Sequence, residues 1–114
     1  MLDTDLDQRC KACEGGVAPL GREQVQKYLK ELQDWKADST YSKIEREYEF
    51  NNYYEVISFV NASAWISHNE NHHPDLSVSY KTCRVTYTTH AINGLSINDF
   101  ICAKKIDILL TVNI

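Results

Sequence analysis

The 114-residue sequence lacks an excess of basic residues, a long apolar run and an apolar leader. Its 12 Lys and Arg against 16 Asp and Glu give a formal charge of −4, so it offers no basic stripe to a nucleic acid. It also lacks a basic amphipathic segment for a membrane surface and the roughly 18 apolar residues of a transmembrane helix. The first ten residues, "MLDTDLDQRC", are acidic and unlike a signal peptide. We therefore expect a cytoplasmic protein that binds neither nucleic acid nor membrane, with its cysteines as thiols.

The chain length is enough for one domain and too short for two. Residues 1–19 combine acidic residues with a Gly-Gly pair and a proline, which predicts a flexible N-terminal tail. Residues 20–114 are expected to form the single domain. The tail contains a "CKAC" pair, Cys10 and Cys13, which we interpret as two incidental thiols. The alternative is zinc bound jointly with a neighbouring chain, and the sequence leaves the role of the pair open.

The periodicity of apolar residues predicts six elements. Helical spacing occurs in "REQVQKYLKELQDW", "NNYYEVISFVNASAWISHNEN" and "SINDFICAKKIDILL". Alternation occurs in "STYSKIEREYEF", where Arg46 interrupts the apolar face, and in two runs joined by a tight turn at Tyr80 and Lys81. The order α-β-α-β-β-α indicates an α+β fold, a small antiparallel sheet with three helices packed on one face.

Three of the four histidines, His68, His72 and His73, lie within the stretch "HNENHHPDL", where the second helix is expected to end. The fourth, His90, ends the strand "RVTYTTH" on its polar face. Imidazole titrates near neutral pH, so histidines on opposite sides of a cleft can donate one proton and accept another. Such assistance typically accelerates a reaction about 10²- to 10⁴-fold.

Other interpretations of these residues stay open. His68 fits a solvated position at a helix end, and Asp99 fits a helix cap paired with Ser96. A zinc site is the rival hypothesis, although the chain has no H-E-x-x-H pattern and adjacent histidines rarely bind one ion. Its ligands would be His68, His72, His90 and either Glu70 or Asp75.

The segment "NHHPDLSVSYKTCRVTYTTHAINGLSINDFICAKKID" closely resembles the pterin-4a-carbinolamine dehydratases. That family's pattern is a His-His-Pro, a strand pair, a Thr-His, a Gly-Leu-Ser or Gly-Leu-Thr, and an Asp followed by an Ala on the last helix. The resemblance extends over about residues 18–110. The matching residues are His72, His73, Pro74, Thr89, His90, Gly94, Leu95, Ser96, Asp99 and Ala103.

The resemblance implies an enzyme that dehydrates 4a-hydroxytetrahydrobiopterin to quinonoid dihydropterin and water. This reaction recycles the pterin used by an aromatic amino-acid hydroxylase, which would be the functional partner. The family uses no metal or organic cofactor and forms dimers or tetramers, so a homodimer or homotetramer is expected. Some animal relatives also act as dimerisation cofactors. A non-catalytic oligomerisation or binding module is therefore the alternative function.

The resemblance also implies roles for individual residues. The expected catalytic residues are His72, His73, His90 and Asp99. His72 would be the leading general acid, and His90 could act as the opposing base. Asp99 would orient an imidazole and stabilise its charged form. The expected substrate-binding residues are His72, His73, Pro74, Thr89 and His90. His68 stands where the family often has Glu, and it is a candidate for the edge of the site.

Overall fold

The computed structural model describes residues 5–11 and 17–110. The predicted α+β order is confirmed, with a two-residue strand and a short 3₁₀ helix added to it. The elements are α1 (Arg22–Leu29), β1 (Lys36–Ala37), β2 (Ile44–Glu49), α2 (Tyr53–Glu70), β3 (Asp75–Val78), β4 (Thr82–Tyr87), the 3₁₀ helix His90–Ile92 and α3 (Ile97–Leu109).

The four strands form one antiparallel sheet in the order β1-β2-β4-β3. β3 and β4 form the predicted hairpin, in which the Ser79 amide donates to the Thr82 carbonyl at 2.9 Å. Tyr80 and Lys81 are therefore the two-residue turn. β4 lies between β2 and β3, so the residues that follow it leave the sheet from a central strand.

Alternation decides which face of the sheet meets the helices. Cys83, Val85 and Tyr87 of β4 are fully buried, and Ile44 and Tyr48 of β2 are paired with Tyr87 and Cys83 on the same face. The opposite residues of these strands are less buried. Aromatic contacts close the layer, with Tyr48 packed on Phe59 of α2 and Tyr28 of α1 packed on Phe100 of α3. The three helices therefore cover one face of the sheet, as predicted.

Arg46, the exception on the apolar face of β2, is accommodated by a carboxylate on α3. Its guanidinium donates to Asp107 at 2.8 Å and lies 4.2 Å from the centre of the Tyr48 ring. The indole of Trp35 and the hydroxyl of Tyr48 also donate to Asp107. Burial and the hydrogen bond to Asp107 raise the pKa of Tyr48 well above its usual value. Asp107 thus satisfies the polar atoms of three otherwise apolar-facing side chains.

The first helix is shorter than predicted, because α1 ends at Leu29 and not near Trp35. The chain continues in tight turns, in which the Leu32 amide donates to Leu29 and the Trp35 amide to Leu32. Leu32 and Trp35 remain buried. Turns with i to i+3 bonds keep nearly the same side-chain spacing as a helix, so the apolar pattern did not reveal the helix end.

Residues 5–11, called here the N-terminal segment, lie against the domain. Leu6 is 1% exposed and belongs to the core, although the sequence placed it in a tail. The Cys10 amide donates to the carboxylate of Glu70 at 2.8 Å. The expected boundary at residue 19 therefore does not separate this segment from the core. Residues 1–4 and 12–16 of the expected tail, with Cys13, lie outside the described residues.

Within residues 5–11 and 17–110, no helix has both the length and the apolar character needed to cross a membrane.

Candidate active site

Asp99 lies in the first turn of α3 and is completely buried. One carboxylate oxygen, Oδ2, accepts from the Ser96 amide at 3.0 Å and from the Thr89 hydroxyl at 2.7 Å. The bond to the Ser96 amide is half of a capping box at the helix start. The other oxygen, Oδ1, lies 2.6 Å from Nε2 of His72. Asp99 is therefore both a cap, as its position predicted, and the partner of a histidine.

The contact with Asp99 also selects the tautomer of His72. A carboxylate accepts hydrogen bonds, so Nε2 carries a proton. Nδ1 is then the ring nitrogen that can accept a proton or, when the ring is charged, donate one. The His72 ring stacks on Tyr87 with centroids 5.7 Å apart and planes 14° apart. Burial raises the pKa of Tyr87 well above its usual value, so Tyr87 provides a neutral platform.

The end of α2 determines where the histidine pair points. Asn71 adopts a left-handed conformation with φ of 51°, which ends the helix and redirects the chain. The His72 amide still donates to the Ser67 carbonyl at 3.2 Å. As a result, His72 turns inward to Asp99 with 14% of its side chain exposed, while His73 is exposed.

His90 reaches the same region from the chain that follows β4. It was expected at the end of a strand, but β4 ends at Tyr87 and His90 begins the 3₁₀ helix. Thr89 forms an isolated bridge with Gly94, and its amide donates to the Gly94 carbonyl at 2.8 Å. This bridge closes a short loop, and His90 stands exposed at its start.

A cavity of about 420 Å³ lies between these elements. Its size is typical of sites for small molecules. Four of the predicted residues, His72, His73, Thr89 and His90, line it together. The other lining residues are Cys10, Lys11, Asn69, Glu70, Asn71, Thr88, Ala91 and Asn98. The histidines near positions 72 and 90 thus share one opening.

Of the other three predicted residues, Asp99 is buried and contacts His72 without lining the cavity, and two are not brought to the site. Pro74 is half-buried beyond the histidine pair and does not line it. His68 is exposed on α2, with its ring 6.1 Å from that of Trp65, and does not line it either. His68 precedes the redirecting residue Asn71, so it follows the exposed face of the helix and does not turn inward with His72.

Sequence reasoning missed the part of the wall formed by Cys10, Lys11 and Asn98. The Lys11 amide donates to Asn98 Oδ1 at 3.1 Å, and Asn98 Nδ2 donates back to the Lys11 carbonyl at 2.5 Å. These contacts join residues far apart in the chain, and no local pattern indicates them. The only sequence signal in this region was the "CKAC" pair, which was interpreted as incidental.

Glu70, which the sequence suggested only as an alternative zinc ligand, also lines the cavity. It is 8% exposed and accepts from Lys105 Nζ and from the Cys10 amide, each at 2.8 Å. Burial opposes its ionisation, but these hydrogen bonds outweigh burial and lower the pKa of Glu70. Glu70 therefore remains charged and ties α2 to α3 and to the N-terminal segment.

Over the described ranges, no three His, Cys, Asp or Glu side chains gather closely enough to hold a metal ion. The zinc ligand set considered from the sequence is therefore not assembled there.

The fold and the cavity define a small α+β domain with a histidine-lined cavity of a size typical of small-molecule sites. A model of the pterin 4 alpha carbinolamine dehydratase family matches residues 18–109. A protein of Nitrosomonas eutropha, provisionally named pterin-4-alpha-carbinolamine dehydratase, is 58% identical over 106 residues, which are 91% of each chain. A relative from Nitrosospira multiformis with the same provisional name is 49% identical over 97% of this chain and 100% of its own. The chain belongs to the pterin 4 alpha carbinolamine dehydratase family.

Solved structures share the fold at lower sequence identity. A transcriptional coactivator/pterin dehydratase from Brucella melitensis superimposes with a TM-score of 0.76 at 24% identity, over 80% of this chain and 97% of that one. A pterin dehydratase-like RuBisCO assembly factor of the alpha-carboxysome gives a TM-score of 0.59 at 16% identity, over 70% of this chain and 93% of that one. At these identities the likeness establishes the fold alone.

Proposed function

We propose that this protein dehydrates a pterin-4a-carbinolamine, 4a-hydroxytetrahydrobiopterin or a close variant, to quinonoid dihydropterin and water. The observation that supports this most is the pairing of His72 with buried Asp99 on the wall of a cavity that His73 and His90 also line. The reaction would take place in the cytoplasm and recycle the pterin for an aromatic amino-acid hydroxylase.

The chemistry requires one proton to be given and one to be removed. The substrate has a hydroxyl on a carbon bonded to a ring nitrogen, and hydroxide is a poor leaving group. A proton delivered to the hydroxyl lets the C–O bond break as water departs, while the nitrogen lone pair forms the new C=N bond. The ring system then loses a proton and becomes neutral. Histidines suit both steps, because imidazole exchanges protons near neutral pH.

His72 is assigned as the general acid that protonates the hydroxyl, and His90 as the base that removes the proton from the ring system. Asp99 fixes Nε2 of His72, which leaves Nδ1 to deliver the proton, and its charge stabilises the imidazolium. His73, exposed at the cavity, would position the pterin. The hydroxyl of Thr89 is engaged by Asp99 and by Ser96 at 2.8 Å, so we assign Thr89 to positioning the carboxylate.

The decisive experiment measures dehydration of a carbinolamine generated in situ, as a function of pH. His72→Ala should lower kcat by about 10²- to 10⁴-fold, the usual worth of general acid–base assistance. A bell-shaped profile of kcat/KM should lose one limb in His72→Ala and the other in His90→Ala.

His68→Ala is the matched control, because it removes the same side chain from the same region outside the cavity. It should retain the wild-type profile. A folded His72→Ala protein that turns over at the wild-type rate would refute the assignment.

We also propose that the chain forms a homodimer or homotetramer. β3 is an edge strand whose four residues are all exposed. Leu76 and Val78 point to the apolar face but are 36% and 41% exposed, since the helices do not cover them. An exposed apolar edge strand favours pairing with another copy. The same edge supports the alternative of a binding module, and the dehydration assay separates the two functions.

A further inference from the structure

A pair of thiols lies beside the cavity and has no part in the proposed reaction. The sulfur of Cys10 in the N-terminal segment is 3.5 Å from the sulfur of Cys102 in α3. Cys10 is half-buried, whereas Cys102 is fully buried. Cys102 lies one helical turn beyond Asn98 and Asp99, so the pair is next to the turn of α3 that holds His72.

Backbone anchors hold the two thiols together. The Cys10 amide donates to Glu70, and the backbone of Lys11 exchanges two hydrogen bonds with the side chain of Asn98. Glu70 is fixed in turn by the ammonium of Lys105, which also lies on α3. The main chain on both sides of the Cys10 sulfur is therefore attached to elements that flank Cys102.

We propose that Cys10 and Cys102 are a peroxide-sensitive pair that closes to a disulfide and fixes one wall of the cavity. A disulfide needs sulfurs about 2.05 Å apart, so the present separation of 3.5 Å must shorten by about 1.5 Å. Side-chain rotation with a small shift of the N-terminal segment would supply this movement.

The oxidation proceeds in two balanced steps with a hydroperoxide as oxidant. The more exposed Cys10 reacts first, and its thiolate attacks one peroxide oxygen. The O–O bond breaks, and Cys10 becomes a sulfenic acid as the first water leaves. The Cys102 sulfur then attacks the Cys10 sulfur, the S–O bond breaks, and the departing hydroxide takes the Cys102 proton as a second water. The thiols lose two electrons and the peroxide gains them.

The order of attack follows from the surroundings of each sulfur. The hydrogen bond with Cys10, and then burial, raise the pKa of Cys102 well above its usual value. Cys102 therefore stays a protonated thiol and is not the sulfur that attacks the peroxide first. Cys10 lines the cavity and is the sulfur that a small peroxide can reach.

Closure would change the wall of the cavity, because Cys10 and Lys11 belong to that wall. Drawing the N-terminal segment toward α3 alters the space beside His72. We expect a several-fold fall in kcat/KM for dehydration, reversed by a thiol reductant, because shifts of about 1 Å can strongly affect a bound substrate. This consequence rests on the proposed function, whereas formation of the disulfide does not.

Peptide mapping tests the thiol pair independently of turnover. The protein is treated with hydrogen peroxide, remaining thiols are alkylated, and trypsin is added without reductant. Cleavage after Arg9, Lys11, Arg22, Arg84 and Lys104 places Cys10, Cys13 and Cys102 in separate peptides, residues 10–11, 12–22 and 85–104. The expected product joins peptide 10–11 to peptide 85–104.

Two matched variants sharpen the result. Cys13→Ser should still form the linked peptide, and Cys10→Ser should not. A Cys10–Cys13 link in place of Cys10–Cys102, or Cys10 converted to sulfinic acid with no link, would overturn the proposed pair.

A second experiment compares kcat/KM for dehydration in each protein before and after peroxide treatment. Wild type and Cys13→Ser should lose kcat/KM reversibly, and Cys10→Ser should be insensitive. If the disulfide forms without changing kcat/KM, the proposed effect of closure on the cavity wall is wrong. If no form dehydrates the carbinolamine, the proposed function fails, and peptide mapping still decides on the thiol pair.

Discussion

At the scale of single residues, the site depends on the two carboxylate oxygens of Asp99, which face different parts of the molecule. Oδ2 binds the start of α3 and Thr89, while Oδ1 binds His72. The helix cap therefore fixes the position of the carboxylate that contacts His72. Without solvent contact at Asp99, the bond to His72 meets little competition from water.

Asp99→Asn tests the charge with little change in shape. An amide can still accept from the Ser96 amide, so the cap should largely survive. It no longer provides the charge beside His72 and can present its NH₂ to the ring. We expect kcat to fall on the order of 10²-fold, within the usual range for acid–base assistance, with a nearly unchanged Tm.

The control for this substitution is Asp34→Asn. Asp34 is 71% exposed, pairs with Arg46 and does not line the cavity. The kcat of this variant should match wild type. An Asp99→Asn protein with full activity would show that the charge is not needed.

At the scale of elements, the loop between β4 and α3 depends on a close approach to the chain before α1. A Cβ on Gly94 would lie 2.6 Å from the Cβ of Pro19, which is closer than carbon atoms tolerate. The Leu20 amide donates to the Leu95 carbonyl at 2.8 Å beside this contact, so the two segments cannot separate freely. Packing against Pro19 therefore explains why the Gly-Leu of the family pattern has a glycine at position 94.

Gly94→Ala should lower the free energy of unfolding by about 1–3 kcal/mol, the usual cost of overpacking. Denaturant unfolding measures the loss. In a Pro19→Gly background the same substitution should cost much less, because the clashing carbon is gone. An equal loss in both backgrounds would contradict this explanation.

The loop between β1 and β2 provides a pH-dependent contribution to stability. Burial opposes ionisation of Asp38, but the combined hydrogen bonds from Thr40, Ser42 and the Lys43 amide outweigh it and lower its pKa from 3.8 to about 2. Since the pKa is lower in the folded state, the carboxylate stabilises the fold above pH 3.8, and this stabilisation is lost as pH falls toward 2.

Asp38→Asn should therefore lower Tm at neutral pH and make little difference near pH 2. Thermal unfolding of both proteins across this range measures the effect. Glu31→Gln, which changes an exposed carboxylate on another turn, serves as the control. A Tm difference that stays constant with pH would exclude ionisation of Asp38 as the cause.

At the scale of the whole molecule, one layer of helices covers the sheet only as far as β4. The apolar side of β3 is left exposed, and this is the surface on which the proposed oligomer depends.

Val78→Lys places a charge on that side and should shift the protein toward monomer in light scattering after size exclusion. Ser77→Lys, on the other side of the same strand, should shift it less. Equal effects of the two variants, or none, would place the interface elsewhere.

Local patterns were sufficient to predict most of the fold. The alternation around Arg46, the helix end before Pro74 and the tight turn at Tyr80 each express the preference of a few neighbouring residues. For the same reason they missed β1, which has two residues, and the end of α1, where turns preserve the helical spacing. These local patterns did not predict the burial of Leu6, because it depends on a surface built from distant elements.

The sequence by itself determined the order of helices and strands, the family, and the His-His-Pro and Thr-His stretches that supply the histidines. Periodicity and short motifs record these, since each depends on residues close together in the chain. Only the tertiary structure decided that Asp99 contacts His72, that His68 and Pro74 lie outside the cavity, and that Cys10 meets Cys102. Those contacts depend on how separate elements pack, and no local spacing encodes the distance between them.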